Sequence, residues 1–106
     1  MQEIGHWING KHVAGTSGRM ADVFNPATGE VQARVALASK AELDHAVAEA
    51  AKAQVKWAAT NPQRRARVMM EFVRLLNRDM DKLALALSSE HGKTVPDAKG
   101  DIQRGL

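Results

Sequence analysis

Asn25-Pro26-Ala27-Thr28-Gly29-Glu30-Val31-Gln32-Ala33-Arg34-Val35, followed after Ala36-Leu37-Ala38 by Ser39-Lys40-Ala41-Glu42, is where this chain changes character. Pro26 holds Asn25 in extended backbone and removes one donor, and Pro26-Ala27-Thr28-Gly29 fits a tight turn. Beyond the turn, polar and apolar residues alternate, which puts Val31, Ala33 and Val35 on one face of a half-buried strand. Ser39-Lys40-Ala41-Glu42 is a capping box: the serine hydroxyl caps a helix while the glutamate reaches back to the first amide. The sequence therefore predicts an α+β chain, with strands over residues 1–38 and helices over residues 39–106.

Upstream, Asn9-Gly10 separates two short runs that contain apolar residues. Both residues tolerate positive φ, as a two-residue type I′ hairpin requires. Thr16-Ser17-Gly18 marks a second break, before Ala21-Asp22-Val23-Phe24. Downstream, Leu43, Ala46, Val47, Ala50, Ala53 and Trp57 form the expected inward stripe of the first helix. Glu42, His45, Glu49, Lys52 and Lys56 fall on its water face. Asn61-Pro62 opens a second helix, with Met69, Phe72, Val73 and Leu76 inward and Arg67, Glu71, Arg74 and Arg78 outward. Asp79 is the expected cap of a third helix through Leu83, Leu85 and Leu87, which ends at Gly92. Val95, Ala98, Ile102 and Leu106 outline a fourth helix starting near Pro96-Asp97. Gly100 and Gly105 each cost it about 1 kcal/mol relative to alanine, so it needs tertiary support. No cap or polar tail follows Leu106, and the reading is of an interrupted sequence.

The chain has 106 residues, 15 Lys+Arg against 12 Asp+Glu, and no cysteine. A disulfide scaffold, a cysteine–zinc site and a thiol nucleophile are thereby excluded within it. The longest apolar run, Leu83–Leu87, is far short of the ~20 residues a membrane helix needs. Met1–His6 carries neither a basic nor an apolar signal region, so the expected location is the cytoplasm. His6, His12, His45 and His91 share no metal-ligand spacing and read as exposed or locally bonded. Arg64-Arg65-Ala66-Arg67 reads as a solvated helix face, because aromatic stacking partners are missing. Met69 and Met70 sit at core spacing. No glycine-rich turn joins a strand to a helix in the pattern that cradles phosphate. From physical pattern alone, no catalytic constellation is present.

Taken in order, Trp7-Ile8-Asn9-Gly10, Asn25-Pro26-Ala27-Thr28-Gly29-Glu30, the capped alanine-rich helix ending at Trp57, Arg64-Arg65-Ala66-Arg67 and Glu90-His91-Gly92-Lys93-Thr94 resemble the N-terminal segment of the aldehyde dehydrogenase superfamily. The tail through Asp97-Ala98 to Gly100-Asp101-Ile102-Gln103-Arg104-Gly105 is similar to the CoA-acylating, NAD-dependent (methyl)malonate-semialdehyde branch. The resemblance implies the N-terminal part of an α/β aldehyde dehydrogenase fold, an incomplete piece associated with the NAD-binding domain. It implies a downstream cysteine that attacks the aldehyde, hydride transfer to NAD, and CoA taking up the acyl group. None of that catalytic or cofactor machinery is expected in these residues alone. The implied partners are the remainder of the enzyme and further copies in a homo-oligomer, with no nucleic acid and no membrane.

Two sites follow from the same resemblance. Arg104 matches the position where this branch holds the substrate carboxylate. Val23 and Phe24, through backbone carbonyls, and Glu90 match a shared monovalent-cation site. The competing reading is a small basic helical module that binds nucleic acid or a partner protein. It accounts for the arginine-rich second helix but not for the ordered motifs. Salt-dependent binding to nonspecific DNA would favour it.

Overall fold

The computed structural model describes residues 1–106. Five strands precede four helices: β1 (Gln2–Ile4), β2 (His6–Ile8), β3 (Lys11–Val13), β4 (Met20–Phe24), β5 (Val31–Ala36), α1 (Lys40–Ala59), α2 (Pro62–Arg78), α3 (Met80–His91) and α4 (Val95–Gly105). Two compact units divide the chain. One comprises residues 1–23 and 31–60, the other residues 24–30 and 61–106.

In the first unit, β2 and β3 pair antiparallel, with Ile8 opposite Lys11. Asn9 and Gly10 both have positive φ, 54° and 75°, as the Asn-Gly signal requires of a type I′ turn. A separate three-stranded sheet has the order β1-β5-β4. Here β5 shows the expected contrast only at its centre, where Ala33 is 5% exposed and Arg34 faces water, while Val31, Gln32, Val35 and Ala36 are all half-buried. Its parallel partner β1 was not expected. Gln2, Glu3 and Ile4 lie opposite Ala33, Arg34 and Val35, in a segment too short to show any periodicity.

The capping box of α1 forms as expected, with the Ser39 hydroxyl accepting from the Glu42 amide and the Glu42 carboxylate accepting from the Ser39 amide. The position of Glu42 on the water face is corrected, because its side chain also binds the segment before β4. The predicted inward stripe of α1 is corrected too: no residue of this helix is buried, and Trp57 is 39% exposed. An amphipathic stripe states which face wants a partner, and not that this chain supplies one.

In the second unit, Asn25 closes the turn that precedes β5. Its amide donates to the Glu30 carbonyl at 2.8 Å, and its side-chain oxygen accepts from the Ala27 amide at 2.9 Å. Asn61 caps α2 through the Arg64 amide, with Pro62 in the first turn. The expected inward set of α2 is corrected in part: Val73 and Leu76 are half-buried, whereas Met69 and Phe72 remain about half exposed, at 53% and 52%. Asp79 occupies the cap position of α3 but makes no side-chain cap. The Arg78 guanidinium takes both its carboxylate oxygens, at 3.0 and 2.8 Å, and the backbone at φ −100°, ψ 16° lies outside cap geometry.

Helix α3 ends at Gly92, whose φ of 89° is the left-handed conformation expected there. A Cβ at Gly92 would lie 2.9 Å from Pro26 Cγ, so the helix end abuts the turn of residues 25–29. Helix α4 starts at Val95 and is capped by Thr94. Ala84 of α3 and Ala98 of α4 are fully buried where these helices pack. Methyl side chains allow that close approach.

Candidate functional site

Arg104 lies in the last turn of α4. Its Nη1 donates to Asp101 Oδ1 at 2.6 Å, one turn earlier on the same helix. The other oxygen of Asp101 accepts from Lys93 Nζ, in the link between α3 and α4. The Lys93 ammonium first, then the Arg104 guanidinium, hold the Asp101 carboxyl below the usual carboxylate range. A second pair ties the helices, Lys99 Nζ to Asp81 Oδ1 at 2.7 Å. Asp101 to Arg104 is a spacing of three that the sequence exposes; Lys93 to Asp101 depends on how the link folds, and sequence reasoning missed it.

The cation residues fall on two elements. Val23 and Phe24 end β4, and Glu90 lies exposed in the last turn of α3. Within the second unit, the turn after Phe24 and the helix end after Glu90 meet at Pro26 and Gly92. No group of three His, Cys, Asp or Glu side chains is arranged to hold a metal ion. Arg64 and Arg67 are exposed on α2.

The first unit has its own polar centre. Glu42 accepts from the Ser39 amide at 3.0 Å and the Thr16 amide at 3.2 Å. His6 Nε2 lies at 3.2 Å from the same carboxylate, at ion-pair distance though not aligned for a hydrogen bond. The backbone amides of Ser39 and Thr16 lower the Glu42 pKa from 4.5 to about 2. With His6 of the hairpin beside it, one side chain thus fastens the segment before β4 and the start of α1. The capping motif revealed only the last of these.

A profile of the aldehyde dehydrogenase family matches residues 12–106. The chain belongs to the aldehyde dehydrogenase family. Within that family it is 42% identical over 106 residues to the malonate-semialdehyde dehydrogenase of Pseudomonas aeruginosa, covering 100% of this chain and 21% of that one. To malonate-semialdehyde dehydrogenase 3 of Geobacillus kaustophilus it is 46% identical over 101 residues, covering 95% of this chain and 21% of that one. Among solved structures, a Sinorhizobium meliloti 1021 protein assigned as a methylmalonate-semialdehyde dehydrogenase and complexed with NAD is 69% identical, with a TM-score of 0.94. The match covers 100% of this chain and 22% of that one. The methylmalonate-semialdehyde dehydrogenase of Oceanimonas doudoroffii is 43% identical with a TM-score of 0.95, over 99% of this chain and 21% of that one. The chain therefore spans about a fifth of these aldehyde dehydrogenases and corresponds to their N-terminal part. The family match leaves the basic-module reading unsupported. No helix is long and apolar enough to cross a membrane.

The strand-to-helix junction of this chain, β5 to α1, does not fit a dinucleotide. No glycine lies between Val35 and Ser39, the Ser39 and Glu42 amides are taken by the capping box, and an ionised Glu42 stands there. A pyrophosphate needs free amides and no carboxylate at that point. No step through NAD is assigned to these residues.

Proposed function

We propose that these residues form the N-terminal part of an NAD-dependent, CoA-acylating (methyl)malonate-semialdehyde dehydrogenase. The match of the whole chain to relatives named malonate-semialdehyde dehydrogenase supports this reading. The remainder of the enzyme supplies the cysteine nucleophile, binds NAD and CoA, and covers the apolar faces of α1 and α2. The intact protein works as a homo-oligomer in the cytoplasm, where reducing conditions preserve a catalytic thiol. Purified intact enzyme should form NADH from malonate semialdehyde and NAD in a CoA-dependent reaction. The 106-residue chain alone should form none, since a thiohemiacetal needs a thiolate. NADH from the isolated chain, or an intact enzyme indifferent to CoA, overturns the proposal.

Arg104 is the substrate-carboxylate residue in this reading. Malonate and methylmalonate semialdehydes carry a charge that simple aldehydes lack, and a guanidinium donates two parallel hydrogen bonds to a carboxylate. In the intact enzyme, Arg104→Leu should lower kcat/KM for malonate semialdehyde about ten- to a hundredfold. Propanal turnover should be spared. Equal loss on both substrates would make Arg104 a residue of the fold.

Val23 and Phe24 carbonyls with the Glu90 carboxylate form the proposed monovalent-cation site, an all-oxygen donor set suited to a hard cation. The close approach of Pro26 to Gly92 supports it, by bringing together the segments that follow Phe24 and Glu90. Potassium should raise the thermal midpoint of the intact wild-type enzyme more than that of Glu90→Ala. Identical responses rule the site out.

A further inference from the structure

An arginine at a helix end, with four rotatable side-chain bonds and 80% of its side chain exposed, does not hold a fixed position by itself. Two features of the second unit restrain Arg104. The first is the bond from its Nη1 to Asp101 Oδ1 at 2.6 Å. The second is that Asp101 is itself anchored. Its other oxygen accepts from Lys93, and this pair is half-buried, with side chains 22% and 32% exposed. Lys93 lies outside α4, so the anchor ties Arg104 to the link from α3 and not merely to its own helix.

Charge and donor geometry fit the same purpose. Lys93, Asp101 and Arg104 together carry two positive charges and one negative, which leaves one positive charge for a single carboxylate. The bond to Asp101 is made through Nη1. The edge formed by Nε and Nη2 keeps two parallel N–H donors for a planar anion.

We infer that Asp101 is a positioning residue for substrate selection: anchored by Lys93, it fixes the Arg104 guanidinium and turns its free edge toward the carboxylate of the aldehyde. This rests on the assignment of Arg104 to that carboxylate. It adds the prediction that specificity depends on an acidic residue of the same sign as the substrate, which a purely electrostatic view would expect to hinder binding.

The test uses the intact enzyme with malonate semialdehyde and propanal, and the variants Asp101→Ala, Asp101→Asn, Lys93→Met and Arg104→Leu. Asp101→Ala should raise the ratio of KM values, malonate semialdehyde over propanal, about two- to fivefold, the range of a single exposed ion pair. The split should appear in KM and not in kcat. Asp101→Asn keeps an acceptor oxygen in the same place and should recover part of the loss, while Lys93→Met should raise the ratio by less. If Arg104→Leu is selective but the ratio for Asp101→Ala stays fixed or falls, the positioning role is wrong and the carboxylate role of Arg104 stands. If Arg104→Leu harms both substrates equally, the carboxylate assignment fails and this inference fails with it. A parallel loss on both substrates with a lowered thermal midpoint in Asp101→Asn would mark Asp101 as a tie between α3 and α4, and would also overturn it.

Discussion

Helix α2 has the more regular apolar stripe yet buries no residue, whereas α3 and α4, with weaker patterns, each bury an alanine completely. Burial here follows the availability of a neighbour and not the strength of the pattern. Helices α3 and α4 pack together and each has a fully buried alanine, Ala84 and Ala98, while Lys99–Asp81 ties the two helices and Lys93–Asp101 ties their link to α4. Val68, Met69, Met70 and Phe72 offer more apolar area and find less to set it against. A strong stripe left in water marks a face that wants a partner.

The contrast breaks most directly at Ala98. Ala98→Leu should force α3 and α4 apart and cost about 1–3 kcal/mol, as overpacking does. Urea denaturation followed by helical circular dichroism measures it on the 106-residue chain; an unchanged midpoint would mean the two helices are not closely packed. Next, Gly92→Ala should cost about 1 kcal/mol or more by the same measurement, because alanine resists a φ of 89° and its Cβ would meet Pro26 Cγ at 2.9 Å.

Phe72→Lys should do the opposite of a core substitution. In the isolated chain it should change stability by no more than about 0.5 kcal/mol. It should also reduce binding of an apolar dye and self-association seen by sedimentation. A large loss of stability would show that α2 is buried after all. The smallest effect is confined to acid. Because folding lowers the Glu42 pKa from 4.5 to about 2, its contribution is complete above 4.5 and is lost as pH falls through about 2. Glu42→Gln should remove that acid dependence from the melting of α1. Parallel pH profiles for wild type and variant would refute the assigned role.

What the sequence disclosed was whatever a few neighbouring residues decide. Asn9-Gly10, Asn25–Gly29, Ser39–Glu42, Asn61-Pro62 and Gly92 all set turns or helix ends through local backbone preferences and short-range hydrogen bonds, and each forms in the structure. Asp79 misled because an adjacent arginine outcompetes the helix amides for its carboxylate. The parallel pairing of β1 with β5 joins residues about thirty positions apart, and no local pattern encodes such a partner. The candidate site divides in the same way. Arg104 was singled out only by its place in a family motif, Asp101 was not singled out although it lies three residues before it, and the bond from Lys93 requires the link to fold back on α4.

The hairpin of β2 and β3 forms a sheet of only two strands. Each of its outer sides therefore presents backbone donors and acceptors at the spacing that any extended polypeptide can match. Such a border invites unwanted strand addition. The sequence limits the hazard. Each strand is three residues long, and β3 carries Lys11 and His12, whose cationic and polar side chains are poor company for a stacked intruder. Brevity at this border limits the hazard at the expense of the hairpin's own strength, and behind it Glu42 lies 3.2 Å from His6 of β2.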